Sequence, residues 1–160
     1  MSVGRVDRSR PPAPGPEPSF RFPQIAKRTL ANGLRVWTVE HRGLPVIAII
    51  ALVPAGASSD PADRPGLAAL TADMLDEGAG GRSALELQEA LGRIGASLDT
   101  EVGSDATMIT LAMLSRFTHR GLALLSDILA RPSLDDHEFT RLRELRVNRL
   151  TQLRDVWATR

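Results

Sequence analysis

Three histidines, no cysteine and nineteen acidic residues are what this 160-residue chain offers for metal or acid–base chemistry. His41, His119 and His137 lie far apart, and none belongs to an i, i+4 pair that would present two imidazoles to one ion from a helix face. His137 stands among Asp135, Asp136 and Glu138, but carboxylates in a first helical turn favour the helix dipole, and capping accounts for them. His41 and His119 read as solvated. Asp73, Asp76 and Glu77 with a loop histidine would suit a hard cation, yet the three carboxylates do not share a helix face. The missing cysteine excludes disulfides, thiolate metal sites and cysteine nucleophiles. No G-x-S-x-G, P-loop or G-x-G-x-x-G is present, and the glycine cluster Gly78-Ala-Gly-Gly81 reads as a loop. Arg141, Arg143, Arg146, Arg149 and Arg154 crowd the last segment. Glu144 and Asp155 are interleaved, no aromatic platform accompanies them and the net charge is +1, so they read as a solvated helix face and nucleic acid is not an expected partner.

The elements that would position these groups follow from pattern. The chain is 42% apolar and 24% charged, average for a protein that folds in water, and is long enough for one core. Its longest apolar stretch, Val46 to Val53, is strand length, so no membrane span is expected. Met1 to Arg10 is basic but runs into Pro11–Pro18 rather than an apolar core, so no secretory signal is read and a cytoplasmic location is expected. Residues 1–19 are expected to be a disordered Pro-rich arm. Asn32-Gly33 between two β-prone runs predicts a hairpin, and Val46–Val53 reads as a third, central strand covered on both faces. Leu67, Leu70, Met74 and Leu75 recur at helical spacing until Gly78. Ser83-x-x-Glu86 is a capping box for a helix carrying Leu87, Leu91 and Ile94. Ala96–Val102 and Thr107–Leu114 predict a second hairpin. Arg116–Ala130 predicts a helix with Leu122, Leu125 and Leu129 on one face, stopped by Pro132. Asp135-x-x-Glu138 opens a last helix carrying Phe139, Leu142, Leu145, Leu150 and Leu153. This order fits an α+β fold, an antiparallel or mixed sheet with helices packed on one face, better than a doubly wound α/β fold.

Word-level matches are more specific. Leu30-Ala-Asn-Gly-Leu-Arg-Val36, the turn Gly56-Ala-Ser-Ser-Asp60, and Gly66-Leu-Ala-Ala-Leu-Thr-Ala-Asp-Met-Leu-Asp-Glu-Gly78 follow one another. Gly95-Ala-Ser-Leu-Asp-Thr100 and Phe139-x-x-Leu-Arg143 complete the series. Together they resemble the first domain of the pitrilysin/insulinase family of metallopeptidases, over residues 20 to 157. The resemblance implies a half-domain spanning 20–160, C-terminally incomplete, since Asp155 to Arg160 offers no natural terminus.

Active members of that family use H-x-x-E-H, two zinc-binding histidines around a general-base glutamate, with a third glutamate ligand on a later helix. Those positions fall here on Ala69, Ala72 and Asp73, and an ungapped count of about 77 residues places the distal ligand at Leu150. Methyl groups neither ligate nor take protons, so the resemblance implies a degenerate, non-catalytic member with no cofactor of its own, zinc being expected only in a partner. The family pairs active and degenerate halves around a peptide chamber. An active zinc peptidase subunit is therefore the implied partner, and a peptide substrate is possible. Leu98, Asp99 and Thr100 are candidate contacts for a peptide adding at the sheet edge. A structural scaffold, similar to the family's core subunits of respiratory complexes and handling no peptide, is the alternative.

Overall fold

The computed structural model describes residues 15–17, 19 and 21–158, so the Pro-rich arm expected over 1–19 lies mostly outside the described residues. The chain divides into two compact units, residues 1–43 and 44–160. In the first, strands β1 (Ile25–Thr29) and β2 (Arg35–Val39) form the expected antiparallel hairpin. Its turn is not the two-residue type that Asn-Gly suggests. Leu30 and Leu34 still pair, with Leu30 N–H donating to the Leu34 carbonyl at 2.9 Å, and only Gly33 has a positive φ, +86°. A two-residue type I′ turn needs positive φ at both central residues, whereas a three-residue loop needs one. Lys27 and Trp37 face each other across the strands, the ammonium 4.3 Å from the ring centroid.

In the second unit, β3 (Val46–Val53), β6 (Ser97–Val102) and β7 (Thr107–Leu114) form an antiparallel sheet ordered β3-β7-β6. The centre is β7, not β3. Thr107–Leu114 bonds to both neighbours, while among the described residues the apolar run of β3 pairs on one side only, and Val46, Ile50 and Leu52 are exposed. A continuous apolar run shows that a strand has two apolar faces; which strand takes the middle depends on pairing, which composition does not encode. Ile109, Leu111 and Met113 of β7, flanked by Ile47, Ile49 and Ala51 of β3 and Leu98 of β6, form one sheet face. Helices α2 (Ala84–Gly92) and α3 (Thr118–Ala130) close that face with Leu87 and Leu91, Leu124, Leu125 and Ile128.

Local chemistry sets these helices. Ser83 and Glu86 form the predicted capping box of α2, and Gly95, φ +59°, ends the turn beyond it, where Ala96 N–H reaches the Leu91 carbonyl. On α3 the buried stripe is Gly121, Leu124, Leu125 and Ile128, spaced i, i+3, i+4, i+7. Leu122 and Leu129, expected to be inward, are exposed, because Gly121 opens the face at which Met113 packs. Between α2 and the preceding helix, Gly78–Gly81 is a small hairpin rather than a loop: β4 (Gly78–Ala79) and β5 (Arg82–Ser83), turning at Gly80 and Gly81, both with positive φ.

That hairpin is fastened to α3 by Asp127. Its carboxylate accepts from Arg82 Nη1 at 2.9 Å and from Arg131 Nη2, while Gly80 N–H donates to the Arg131 carbonyl. The Arg131 hydrogen bond, with Arg82 adding to it, holds the Asp127 carboxyl below its ordinary value of 3.8. A depressed folded-state value contributes stability that is complete above the unfolded value and lost as pH falls through the folded one. Asp127→Asn is therefore expected to flatten the fall of melting temperature below about pH 4. A pH profile parallel to that of the parent protein would contradict this.

Gly56 marks where β3 hands over to the loop. A Cβ there would sit 2.4 Å from the Gly103 carbonyl oxygen and 2.5 Å from that of Ser104, because Ala57 and Ser58 N–H donate to those two carbonyls. Backbone oxygens cannot swing aside. Gly56→Ala is expected to cost about 1–3 kcal/mol, read as a lowered urea midpoint at unchanged slope.

Candidate functional site

Helix α1 (Leu67–Asp73) carries the motif positions. Its start is fixed from a distance: Asp60, between the turn and the Pro-rich loop, accepts from Gly66 N–H at 2.7 Å and Ala68 N–H at 2.8 Å. Its end is tightened by Leu75 N–H to Ala72 and Glu77 N–H to Met74, so the helix stops at Asp73 rather than running to Gly78. Gly78 instead opens β4. Ala72 and Met74 are buried, and Ala69 is half-buried.

Helix α1, which carries Ala69, Ala72 and Asp73, packs beside β6, which carries Leu98, Asp99 and Thr100. Strand β6 pairs with β7 alone among the described residues, so its outer edge is unpaired there. Leu98 lies opposite Leu111 on the core side of the sheet, while Asp99 is exposed. Leu150 is not brought in: it lies on α4 (Asp136–Ala158) and is exposed. Asp135 caps α4, accepting from His137 N–H at 2.8 Å and Glu138 N–H at 3.3 Å; the Glu138 carboxylate turns to Arg141 instead of completing a capping box. Phe139, Leu145, Leu150 and Leu153 are exposed to 39% or more, while Phe139 lines a groove with Leu67, Leu70 and Met74, so apolar burial along this helix is slight.

Charged pairs add to this contact. Arg146 Nη1 meets Asp73 Oδ2 at 2.6 Å, and Arg141 Nη2 meets Glu77 Oε1 at 2.5 Å while its Nε donates to Glu138 Oε2 at 2.6 Å. Two arginines expected to be merely solvated thus tie α4 to the motif helix and the turn after it. The only signal in the sequence was a spacing, acids four apart and arginines five apart, with nothing to match one set to the other. The hydrogen bonds it donates to Glu138 and then to Glu77 raise the Arg141 guanidinium above its usual range, and Arg141 in turn holds Glu138 below its own. Asp76, between the pairs, is pushed up, chiefly by burial and further by the Glu77 and Asp73 carboxylates.

A zinc ion here would need donors from α1 and α4, and the residues present do not fit one. Ala69, Ala72 and Leu150 end in carbon, and the Asp73 carboxylate is engaged by Arg146. Asp73, Asp76 and Glu77 do not make a relocated site either. Among the described residues no three His, Cys, Asp or Glu side chains converge to hold a metal. No described helix is long and apolar enough to cross a membrane.

A sheet backed by helices, with a short motif helix beside an edge strand, defines the class. The family model for insulinase, peptidase family M16, matches residues 35–159, and the chain belongs to that family. The β subunit of the mitochondrial-processing peptidase is 28% identical over 137 residues in Mus musculus and 26% in Rattus norvegicus. Each alignment covers 86% of this chain and 28% of the relative, so the chain spans little more than a quarter of their length. Among solved structures, a peptidase M16 inactive domain from Pseudomonas fluorescens superposes with a TM-score of 0.72 at 26% identity, over 76% of this chain and 30% of that one. A protease from Helicobacter pylori superposes at 0.71 with 20% identity, over 78% and 30%, and speaks for the fold alone.

Proposed function

We propose that this chain is part of a non-catalytic half or subunit of a two-part zinc peptidase, supplying dimer interface and chamber wall to an active H-x-x-E-H partner. One observation carries the proposal: the motif helix is built and capped in its place beside β6, while the positions on it that would do chemistry hold Ala69, Ala72 and a salt-bridged Asp73. A protein that had lost all use for this framework would have no reason to keep Asp60 on the helix start or Gly56 in its crowded turn. The likeness to a solved domain described as inactive, and to a peptidase subunit, supports the same conclusion. A peptide cannot be enclosed by one half-shell, so an opposing wall has value without chemistry of its own. In that role Leu98, Asp99 and Thr100 would offer a partner's peptide an edge to lie along.

The test mixes the full-length protein bearing this domain with an active family member from the same source. A sedimenting complex and peptide hydrolysis above that of the active member alone are expected. No complex with any active homologue, alongside an active member fully competent by itself, would favour the scaffold role.

A further inference from the structure

We infer that Arg146 is a half-exposed cation that bridges α1 to α4 through Asp73, a motif position from which the family would have a metal join the same two elements. The comparison with a metal rests on the degenerate-motif reading above; the bridge itself rests on geometry. Helix α4 has 23 residues, about 34 Å, whereas α1 has seven, about 10 Å, so most of α4 extends past its neighbour. The apolar residues along it are largely exposed, with Phe139 lining a groove beside Leu67, Leu70 and Met74 of the motif helix and the turn after it. The charged pairs add directed ties further along. Asp73 and Arg146 are 73 residues apart in sequence and meet at 2.6 Å, and Glu77 with Arg141 makes a second tie. Arg141 and Arg146, five residues apart, leave α4 about 140° apart around its axis, on either side of Leu142. Two ties from opposite flanks fix the rotation of a helix as well as its distance, which one tie could not do.

The substitution is chemically coherent. A metal joins two protein elements because it attracts donors from both; here one element supplies the positive charge, as a planar guanidinium with directed donors, and the other keeps a carboxylate at a motif position. The result needs no metal, and it sets a fixed positive charge where a divalent ion would have to approach.

Hydrogen exchange along α4 tests this without reference to peptidase activity or zinc, so it can fail independently of the proposed function. Arg146→Met and Asp73→Ala are each expected to speed exchange of the amides between Phe139 and Leu150 by about two- to fivefold. Arg149→Met, which removes a charge without a described ion pair, should not. The charge swap, Asp73→Arg together with Arg146→Asp, should restore most of the protection, and raising sodium chloride from about 0.05 to about 0.5 M should loosen the parent protein more than Arg146→Met, which keeps only the Glu77–Arg141 tie. Single variants that exchange like the parent, or a swap as loose as both losses combined, would overturn the bridge.

Discussion

A protein carrying Ala69→His, Ala72→Glu and Asp73→His is expected to hydrolyse peptides no faster than its parent, although it then spells the complete H-x-x-E-H. Three physical reasons act together. The third donor is missing, because Leu150 is aliphatic, and two imidazoles alone hold zinc weakly. Replacing Asp73 also strips Arg146 of its partner, leaving a free guanidinium beside the new histidines, where it repels a divalent ion. Finally, Ala72 is buried, so a glutamate there loses hydration and is displaced from the place where it could reach a water. A general base alone contributes about 10²–10⁴-fold to such reactions, and only when it is within hydrogen-bond reach of its proton. A rise in peptide turnover of even about 10³-fold in the triple variant would show that the distal position has been misplaced or is not needed.

Leu111→Ala should be the most damaging single substitution in the second unit. Leu111 is fully buried at the middle of β7, opposite Ile49 on one side and Leu98 on the other, with α2 and α3 over it. Truncation removes its transfer free energy and leaves a cavity that three layers cannot all collapse into, a loss of about 2–5 kcal/mol. Domains of this size are stable by about 5–15 kcal/mol, so the melting temperature should fall by about 10 °C or more. Leu122→Ala is the matched control on the exposed side of α3 and should cost under about 1 kcal/mol. Equal losses from the two would mean that the inward face of α3 has been assigned wrongly.

That pair of leucines shows where the sequence was legible and where it was not. Both are apolar and both fit the pattern of their element, Leu111 the alternation of β7 and Leu122 a helical stripe on α3; Leu125 belongs to the true face of α3 and also fitted the wrong one. The tie-breaker was Gly121, whose missing side chain admits Met113 of the preceding strand, a fact of packing between α3 and β7 that helical periodicity alone does not encode. Local signals read well: the Ser83–Glu86 capping box, the hairpin around Asn32-Gly33 and the alternation of β7 all depend on neighbours in the chain. Long-range choices did not. The apolarity of β3 said nothing about whether it sits at the edge, and the arginines of α4 could not be matched to Asp73 and Glu77 without the fold. What Ala69 and Ala72 can offer a metal needs no fold to read, since a methyl group supplies no ligand wherever it lies.

The central claim, that this is a family scaffold without the family's metal chemistry, is tested most directly by counting zinc. The purified protein, exposed to excess zinc and then dialysed against metal-free buffer, should retain far less than one ion per chain, because no described side-chain group offers three donors and the motif carboxylate is already paired with Arg146. One tightly held zinc per chain, lost on Asp73→Ala, would contradict the account at its root.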